Sequence, residues 1–314
     1  MDQHSSHSID NQSNCSRRRF ITAALAGAGV VAARPGWLAQ PVARAAGGKR
    51  AATDIVTLGK TGIKTTRLAQ GTGWNGTGRS SAHTRLGEKT FDALIHHGLD
   101  GGVRFLDMAD LYGSHPYVRH ALDTRTRDNL VMLSKIWPRS AYWNSASGGA
   151  IEEVNRFRKE LKIDALDICL IHCMTNSNWP QEYKRIRDEL DEMKEKGAVK
   201  AVGVSCHDFG ALKVACSHPW VDVVLARINN VGTSAYMDAS PEEVAPVLKQ
   251  ARANGKVIIG MKIFGAGRLT SPEQKDASLK YVFENELVDA ITVGMMAPGE
   301  VDDTLMRMNK ALSA

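Results

Sequence analysis

The chain has 314 residues, of which 43% are hydrophobic and 24% charged, so it is long enough for one large globular domain or two small ones. Residues 1–45 hold five arginines and two aspartates and so contribute much of the net charge of +6; the nearly balanced remainder gives no support to nucleic-acid binding. No uninterrupted apolar run reaches the roughly 18 residues needed to cross a bilayer, so we expect no stable membrane anchor.

A basic motif and a short apolar stretch lie near the N-terminus. Ser16-Arg17-Arg18-Arg19-Phe20-Ile21 precedes a stretch rich in glycine and alanine over residues 22–33, and Ala43-Arg44-Ala45 offers a small-x-small cleavage pattern. This order resembles a twin-arginine signal peptide. We therefore expect residues 1–45 to direct export of the folded protein by the twin-arginine machinery to the periplasm or another extracytoplasmic compartment, with residues 46–314 forming the mature domain. A basic disordered tail followed by a short helix is the alternative.

Beyond residue 50, short β-branched runs alternate with amphipathic segments, which predicts a parallel sheet. Eight strands are predicted, at residues 67–72, 103–107, 130–136, 165–172, 199–205, 223–228, 257–263 and 290–294. The segments between them have helical periodicity; we expect Gly98 and Gly197 to end two helices and Ser240-Pro241-Glu242-Glu243 to begin another. Eight βα units in about 250 residues predict a single (β/α)8 TIM barrel.

An open, doubly wound sheet is the alternative fold. Gly71-Thr72-Gly73-Trp74-Asn75-Gly76 matches the G-x-G-x-x-G pattern of dinucleotide-binding sheets, in which a helix opens within the glycine run. Here the polar sequence continues, and the next helical pattern begins only near Leu86. We therefore interpret the run as the first βα loop of a barrel.

Four polar side chains stand at the ends of neighbouring predicted strands. Asp107 ends the second strand and Tyr112 follows it, Lys135 ends the third strand, and His172 ends the fourth. Because barrel sites form at the carboxyl ends of the strands, we expect these side chains to converge. They suit carbonyl reduction, in which hydride addition leaves negative charge on an oxygen that needs a proton.

Each of the four has an expected role in that reaction. The hydroxyl of Tyr112 would supply the proton if its pKa, ordinarily about 10, is lowered. Lys135 would stabilise the tyrosinate, and Asp107 would hold Lys135 in place. His172 would orient the carbonyl and share the proton transfer.

The surrounding residues resemble the aldo-keto reductase family. Residues 102–113 (GVRFLDMADLYG) look like the family signature around its catalytic aspartate and tyrosine, and residues 58–62 (LGKTG) resemble its N-terminal hairpin. Residues 167–172 and 201–205 are similar to its fourth and fifth strands. The resemblance covers nearly all of residues 55–310. It implies a TIM barrel plugged by an N-terminal β-hairpin, the catalytic tetrad named above, and nicotinamide-dependent reduction of an aldehyde or ketone, or oxidation of the matching alcohol.

The resemblance also implies NADP or NAD as the cofactor, with NADP slightly favoured, and we expect tight binding if the cofactor is acquired before export. The positions it assigns to the cofactor are Ser205, Cys206, Asn230, Lys262, Gly265, Gly267, Arg268, Gly294, Asp303 and Thr304. Three positions depart from the family pattern: Cys206 replaces an asparagine, Ala226 a glutamine, and Met261 an aromatic ring that stacks on nicotinamide. Residues 295–300 lack the basic side chains expected to bind a 2′-phosphate.

Aromatic residues on the predicted loops suggest the walls of a substrate pocket, with simple loop packing as the alternative. These residues are Trp74, Trp137, Trp143 and Trp179.

Two other functions stay open. A soft-metal site for zinc or copper could be formed by Cys169, His172, Cys173, Cys206 and His207. Residues three apart on a strand face opposite sides, however, so we expect no metal there. The altered nicotinamide contacts also suit an exported dinucleotide-binding or sensing barrel with little turnover.

Overall fold

The structure is a computed structural model and describes residues 50–74, 76–125, 127, 129–139 and 149–313. The expected signal peptide therefore lies outside the described residues. Strands β1 (Ile55–Thr57) and β2 (Lys64–Thr66) form an antiparallel hairpin. Leu58 and Ile63, in its connection, are buried among the side chains inside the barrel. The predicted hairpin plug is confirmed.

Eight further strands form a closed parallel barrel. They are β3 (Leu68–Gly71), β4 (Phe105–Asp107), β5 (Val131–Ile136), β6 (Leu166–Met174), β7 (Val199–Cys206), β8 (Val223–Arg227), β9 (Val257–Met261) and β10 (Ala290–Val293). Each strand pairs with its neighbour in the chain, and β10 closes the barrel on β3, with Thr292 opposite Ala69. The predicted barrel is confirmed and the open sheet is wrong, because the pairing of β10 with β3 leaves no sheet edge.

The helices cover the outside of the barrel. They are α1 (Glu88–Asp100), α2 (His115–Leu122), α3 (Ala150–Leu161), α4 (Trp179–Glu182), α5 (Lys184–Glu195), α6 (Phe209–Ser217), α7 (Pro241–Ala253), α8 (Pro272–Glu284) and α9 (Pro298–Ser313). Among the described residues, none of these helices combines the length and apolarity needed to cross a membrane.

Two of the three predicted helix ends are confirmed. Ser240 and Glu243 form a reciprocal capping box at the start of α7, and Gly197 follows α5 with a φ of 71°. The third prediction is wrong: Gly98 lies within α1, and the chain turns away only at Gly102, whose φ is 91°. A left-handed φ favours glycine, which explains why the later glycine ends the helix.

The barrel sorts alternate side chains into two buried layers. Along β6, Ile168 and Leu170 point into the barrel, whereas Cys169 and Ile171 pack against the helices. Burying each large apolar side chain contributes about 1.5–3 kcal/mol, so the alternation fixes which face of each strand is internal. His172 continues the inward series and therefore faces the interior at the carboxyl end of the barrel.

Candidate active site

The side chains of the four predicted catalytic residues line one cavity of about 430 Å³ at the carboxyl end of the barrel. Asp107 is the last residue of β4, and Tyr112 ends the short 3-10 turn Asp110–Tyr112 that follows it. Lys135 lies near the end of β5, and His172 near the end of β6. Three strands and one turn therefore bring a carboxylate, a phenol, an amine and an imidazole together.

Lys135 and Asp107 form a buried ion pair at the floor of this cavity. Lys135 Nζ donates to Asp107 Oδ1 and also to the backbone oxygen of Met108, at 2.8 Å. Thr292 Oγ1 donates to Asp107 Oδ2 at 2.9 Å. Burial lowers the pKa of Lys135, whereas the Asp107 carboxylate opposes that shift. Both charges are thus compensated by neighbouring groups of the barrel itself.

Tyr112 is held between this ion pair and His172. Lys135 Nζ lies 5.1 Å from the centre of the Tyr112 ring, and the His172 ring meets that ring edge-on at 5.6 Å between centroids. Gly73 approaches so closely that a Cβ there would lie 2.0 Å from Tyr112 Cγ, and one at Gly76 would lie 2.7 Å from Cδ1. The glycine run that matched a dinucleotide fingerprint is therefore required for the first βα loop to pack against the Tyr112 ring.

The expected lowering of the Tyr112 pKa is not what the structure shows. Burial raises the pKa of Tyr112, and the negative charge of Asp107 raises it further. Lys135, which lies beside the ring, is itself paired with Asp107. Tyr112 is therefore a protonated phenol at neutral pH, which is the form that can give up a proton.

His172 is a neutral imidazole. Burial, then the positive charge of Lys135 and other nearby groups, lowers its pKa well below the ordinary value. Its Nδ1 is buried and has no hydrogen-bond partner among the described residues. A neutral ring at the buried end of the cavity can donate one hydrogen bond to a substrate oxygen.

A second imidazole, His207, lines the same cavity, whereas the sequence suggested it only as a possible metal ligand. Its ring lies 6.4 Å from that of His172. His207 Nδ1 accepts a hydrogen bond from Arg227 Nη2 at 2.5 Å, and Arg227 Nη1 is 3.0 Å from Asp238 Oδ1. Because the permanently charged guanidinium donates to Nδ1, the ring proton of His207 lies on Nε2. Alternation along β7 was the signal that could have identified it: Ser205 and His207 share a face.

Five of the ten predicted cofactor positions line the cavity: Ser205, Lys262, Gly267, Gly294 and Thr304. Ser205 Oγ accepts a hydrogen bond from the Cys173 N–H at 2.7 Å, which leaves the Ser205 proton available to a ligand. Lys262 forms no salt bridge among the described residues; burial, and then the nearby Arg227 and Lys135, lower its pKa, and the more distant charge of Asp107 opposes this shift. An unpaired ammonium in a cavity suits a phosphate, so the residues present fit a dinucleotide diphosphate.

The other five positions are not brought to the cavity. Cys206 faces the helices, since alternate residues of β7 point to opposite sides. Asn230 is exposed, whereas its neighbour Asn229 is buried and donates to the backbone oxygens of Ala235 and Lys262. Ala226 likewise packs on the helix side, so it does not occupy the place of the glutamine that the resemblance assigned to it.

The remaining three predicted cofactor positions make contacts with neighbouring loops and helices instead of lining the cavity. Gly265 is buried against Ala235. Arg268 is exposed, donates to the backbone oxygen of Ser234 at 2.5 Å and stacks on the ring of Tyr236 at 4.3 Å. Asp303 is paired with Lys275 and Arg307 rather than facing the cavity. Loop conformation directs Arg268 away from the cavity, whereas Asp303 faces its basic partners from α9; strand periodicity determines neither.

The predicted aromatic pocket is only partly formed. Trp74 lines the cavity mouth and is 42% exposed, and Trp137 meets the His172 ring edge-on at 5.3 Å. Trp179 is wrong as a pocket residue: it is fully buried beside Trp220 on the helix side, where its Nε1 donates to Ala211 O at 3.4 Å. Trp143 lies outside the described residues.

The cysteine–histidine set does not form a metal site. Cys169 and Cys206 are buried in the layer between barrel and helices, whereas His172 and His207 face the cavity. Burial raises the pKa values of both thiols, which disfavours the thiolate that a soft metal requires. Cys169 and Cys206 therefore cannot share an ion with His172 and His207, and the described residues do not bring Cys173 into a group of three possible metal ligands with either imidazole.

A partly buried polar network supports the Tyr112 turn from outside the barrel. His115 Nδ1 is 2.9 Å from Glu160 Oε2, and His115 Nε2 is 2.7 Å from Ser134 Oγ. Arg79, from the first βα loop, pairs with Glu160 and with Asp110 of the Tyr112 turn. Burial raises the pKa of Glu160, but the hydrogen bonds from His115 and the Arg79 guanidinium outweigh it and lower the pKa to about 2. The network joins the first loop to the turn that carries the phenol.

Comparison with known proteins gives one family. The model of the aldo/keto reductase family matches residues 68–297. Aldo-keto reductase YhdN of Bacillus subtilis is 28% identical over 169 residues, which are 48% of this chain and 46% of that protein. The 6-dehydroglucose reductase of Novosphingobium aromaticivorans is 27% identical over 193 residues, 57% of this chain and 60% of that protein. The chain thus matches about half to three-fifths of the length of these relatives.

Solved structures share the fold. PA4992 of Pseudomonas aeruginosa, described as an aldo-keto reductase, superposes with a TM-score of 0.66 at 22% identity, covering 84% of this chain and 99% of that one. An aldo/keto reductase from Klebsiella pneumoniae in complex with NADP and acetate gives a TM-score of 0.60 at 16% identity, covering 83% and 90%. At these identities the likeness supports the barrel architecture.

Proposed function

Because the chain belongs to the aldo/keto reductase family, we propose that it is a nicotinamide-dependent oxidoreductase that interconverts an aldehyde or ketone and the matching alcohol. The observation that carries the proposal is the convergence of Tyr112, Lys135, Asp107 and His172 on one cavity. A buried proton donor beside a neutral hydrogen-bond donor is what the oxygen of a reacting carbonyl needs.

The residues divide the chemistry of reduction among them. A bound nicotinamide would supply hydride to the carbonyl carbon, and the electron pair of the C=O bond moves to oxygen. His172 donates a hydrogen bond that orients the carbonyl and stabilises the developing charge. Tyr112 gives its phenolic proton to that oxygen, and Lys135 stabilises the tyrosinate that results. Asp107 keeps Lys135 in position, and the Nε2–H of His207 is placed to contact a second polar group of the substrate.

The cofactor is proposed to be NADP or NAD. Lys262 would hold the diphosphate, Ser205 the nicotinamide carboxamide, and Gly267 and Thr304 the outer part of the molecule. Resemblance to the family favours NADP slightly, and the absence of basic residues over 295–300 weakens that preference.

We also propose that the protein is exported folded by the twin-arginine route, with the cofactor bound before export. The support is the sequence Ser16-Arg17-Arg18-Arg19-Phe20-Ile21 and the small-residue pattern around Arg44. Replacing Arg17 and Arg18 together by lysine should retain the protein in the cytoplasm, as measured by cell fractionation. Unchanged distribution of the double variant would contradict export by this route.

Oxidation of NADPH and NADH at 340 nm, with a panel of aldehydes and ketones, tests the activity. We expect turnover by the wild type and a loss of about a thousandfold or more in Tyr112→Phe, since the phenyl ring keeps the packing and lacks the proton. Equal turnover by Tyr112→Phe would contradict the assigned role of Tyr112. Dinucleotide binding without turnover of any carbonyl or alcohol would favour the sensing barrel instead.

A further inference from the structure

The exposed mouth of the active-site cavity carries the carboxylate of Glu300. Glu300 lies in the first turn of α9 and lines the same cavity as Tyr112 and His172. Its Oε2 accepts a hydrogen bond from the Met296 N–H at 2.8 Å. The carboxylate thus occupies the positive end of α9, where the helix dipole stabilises a negative charge. A second anion at this helix end would meet a negative charge already in place.

The positive charge of Lys275, near this mouth, is already compensated by a carboxylate. Lys275 also lines the cavity, but its Nζ lies 3.0 Å from Asp303 Oδ2. Arg307 binds the other oxygen of Asp303 at 2.8 Å and also pairs with Asp276, so it too is compensated. Among the described charged residues that line the cavity beyond Lys262, Glu300 is therefore the one without an oppositely charged partner.

The inference rests on the proposed function, which sets the direction of the cofactor. A nicotinamide that reacts beside Tyr112 occupies the buried end of the cavity, so the adenosine half extends past Lys262 towards the exposed mouth. NAD presents a ribose 2′-hydroxyl there and NADP a 2′-phosphate. A carboxylate accepts a hydrogen bond from the hydroxyl and repels the phosphate.

We propose that Glu300 makes this protein select NAD(H) over NADP(H), against the preference that the family resemblance suggested. The side chain acts twice: it binds the ribose hydroxyl, and it fills the helix end that a phosphate would otherwise use. Because Glu300 is exposed, the repulsive part of the selection weakens as salt is added.

Direct binding to the full chain tests the proposal without any substrate. NADH and NADPH are titrated separately while tryptophan fluorescence is followed, since Trp74 lines the cavity mouth. Protein purified with a bound dinucleotide is first stripped of it, and the released molecule is identified by mass spectrometry. We expect NAD in that sample and a Kd for NADH lower than that for NADPH by roughly tenfold or more, as a hydrogen bond to a charged group provides.

Variants of Glu300 and a matched control sharpen the test. Glu300→Gln keeps an acceptor for the Met296 N–H and should reduce the selection several-fold, whereas Glu300→Arg should reverse it in favour of NADPH. Asp302→Asn removes the same charge from the same helix at a position that does not line the cavity, so the ratio of the two Kd values should not change. Thermal unfolding of each variant verifies that the fold is retained.

Three outcomes would overturn the inference. They are a wild type that binds NADPH as tightly as NADH or more tightly, a Glu300→Arg variant with an unchanged ratio, and an equal shift in Asp302→Asn. Each of these leaves the proposed oxidoreductase function standing. Failure to bind either dinucleotide would contradict the proposed function, and the inference with it.

Discussion

The inner and outer parts of the active-site cavity balance their charges in different ways. In the inner part, Lys135 and Asp107 neutralise each other, and Thr292 bonds the second carboxylate oxygen. In the outer part, Lys262 forms no salt bridge among the described residues, and Glu300 is exposed at the mouth. A buried charge is costly unless it is paired. The fold itself therefore compensates the charges at the reacting end of the cavity. At the end that would bind the dinucleotide, the charge of Lys262 is left for a ligand to compensate.

Removing one partner of the ion pair between Lys135 and Asp107 should have the largest effect on stability and activity. Asp107→Asn leaves the buried ammonium of Lys135 without its counter-charge, so we expect a loss of about 3–5 kcal/mol in the free energy of unfolding, together with loss of activity. Urea denaturation measures the stability change. The double variant Asp107→Leu/Lys135→Met should recover much of the stability but no activity, because it removes both charges. If the Asp107→Asn protein were as stable as the wild type, Lys135 would not need the charge of Asp107 in order to remain buried.

The second-largest effect is expected from a substitution that displaces the ring of Tyr112 but leaves the residue itself unchanged. Gly73→Ala places a Cβ where the Tyr112 ring lies, so the ring or the loop must shift, and displacement by about 1 Å costs about a hundredfold in kcat. Gly98→Ala is the matched control, because its Cβ would meet nothing within 4 Å and alanine favours the helix. Activity of Gly73→Ala equal to that of Gly98→Ala would mean that the first loop does not position Tyr112.

Removing a charge from the outer part should weaken cofactor binding and leave stability intact. For Lys262→Met we expect about a tenfold rise in the Kd of the dinucleotide, since a charge-assisted contact to phosphate is lost. Lys275→Met is the comparison, because that ammonium lines the same cavity but is already paired with Asp303. Its Kd should change less. Equal effects of the two variants would contradict the distinction between paired and unpaired charges.

Strand positions and the site residues at strand ends could be predicted from the sequence, because strand geometry determines which way these side chains face. The eight strands differ from their predicted bounds by no more than two residues at either end, because β-branched runs and the two-residue alternation are properties of the chain itself. Asp107, Lys135 and His172 could be placed together for the same reason: a residue at a strand end can face only the barrel or the helices. Tyr112 follows within one short turn.

Predictions from the sequence were wrong where loop conformation and tertiary packing determine where a side chain lies or how its charge is compensated. Arg268 comes two residues after Ala266, a non-glycine residue with a φ of 51°, and this conformation is not evident from the sequence. Trp179 was placed on a rim loop, yet the short α4 carries it into the helix layer. The pKa of Tyr112 was expected to fall because Lys135 is close, but the burial of the phenol, which the sequence does not reveal, raises that pKa, and Asp107 raises it further. His207 was visible in the sequence, but its hydrogen bond from Arg227 was not.

The smallest expected effect concerns the network that supports the reacting end from outside. The pKa of Glu160 is lowered to about 2, so its charged form stabilises the fold above its unfolded value of 4.5, and this contribution is lost as pH falls from about 4.5 towards 2. Glu160→Gln should cost about 1 kcal/mol at pH 7, since the amide keeps some hydrogen bonds and the site is partly exposed. The gap to the wild type should close near pH 2, as followed by thermal unfolding across pH. Glu152→Gln, an exposed position on the same helix, should show no such dependence. A gap that persists at pH 2 would mean that Glu160 stabilises the loop by packing rather than by its charge.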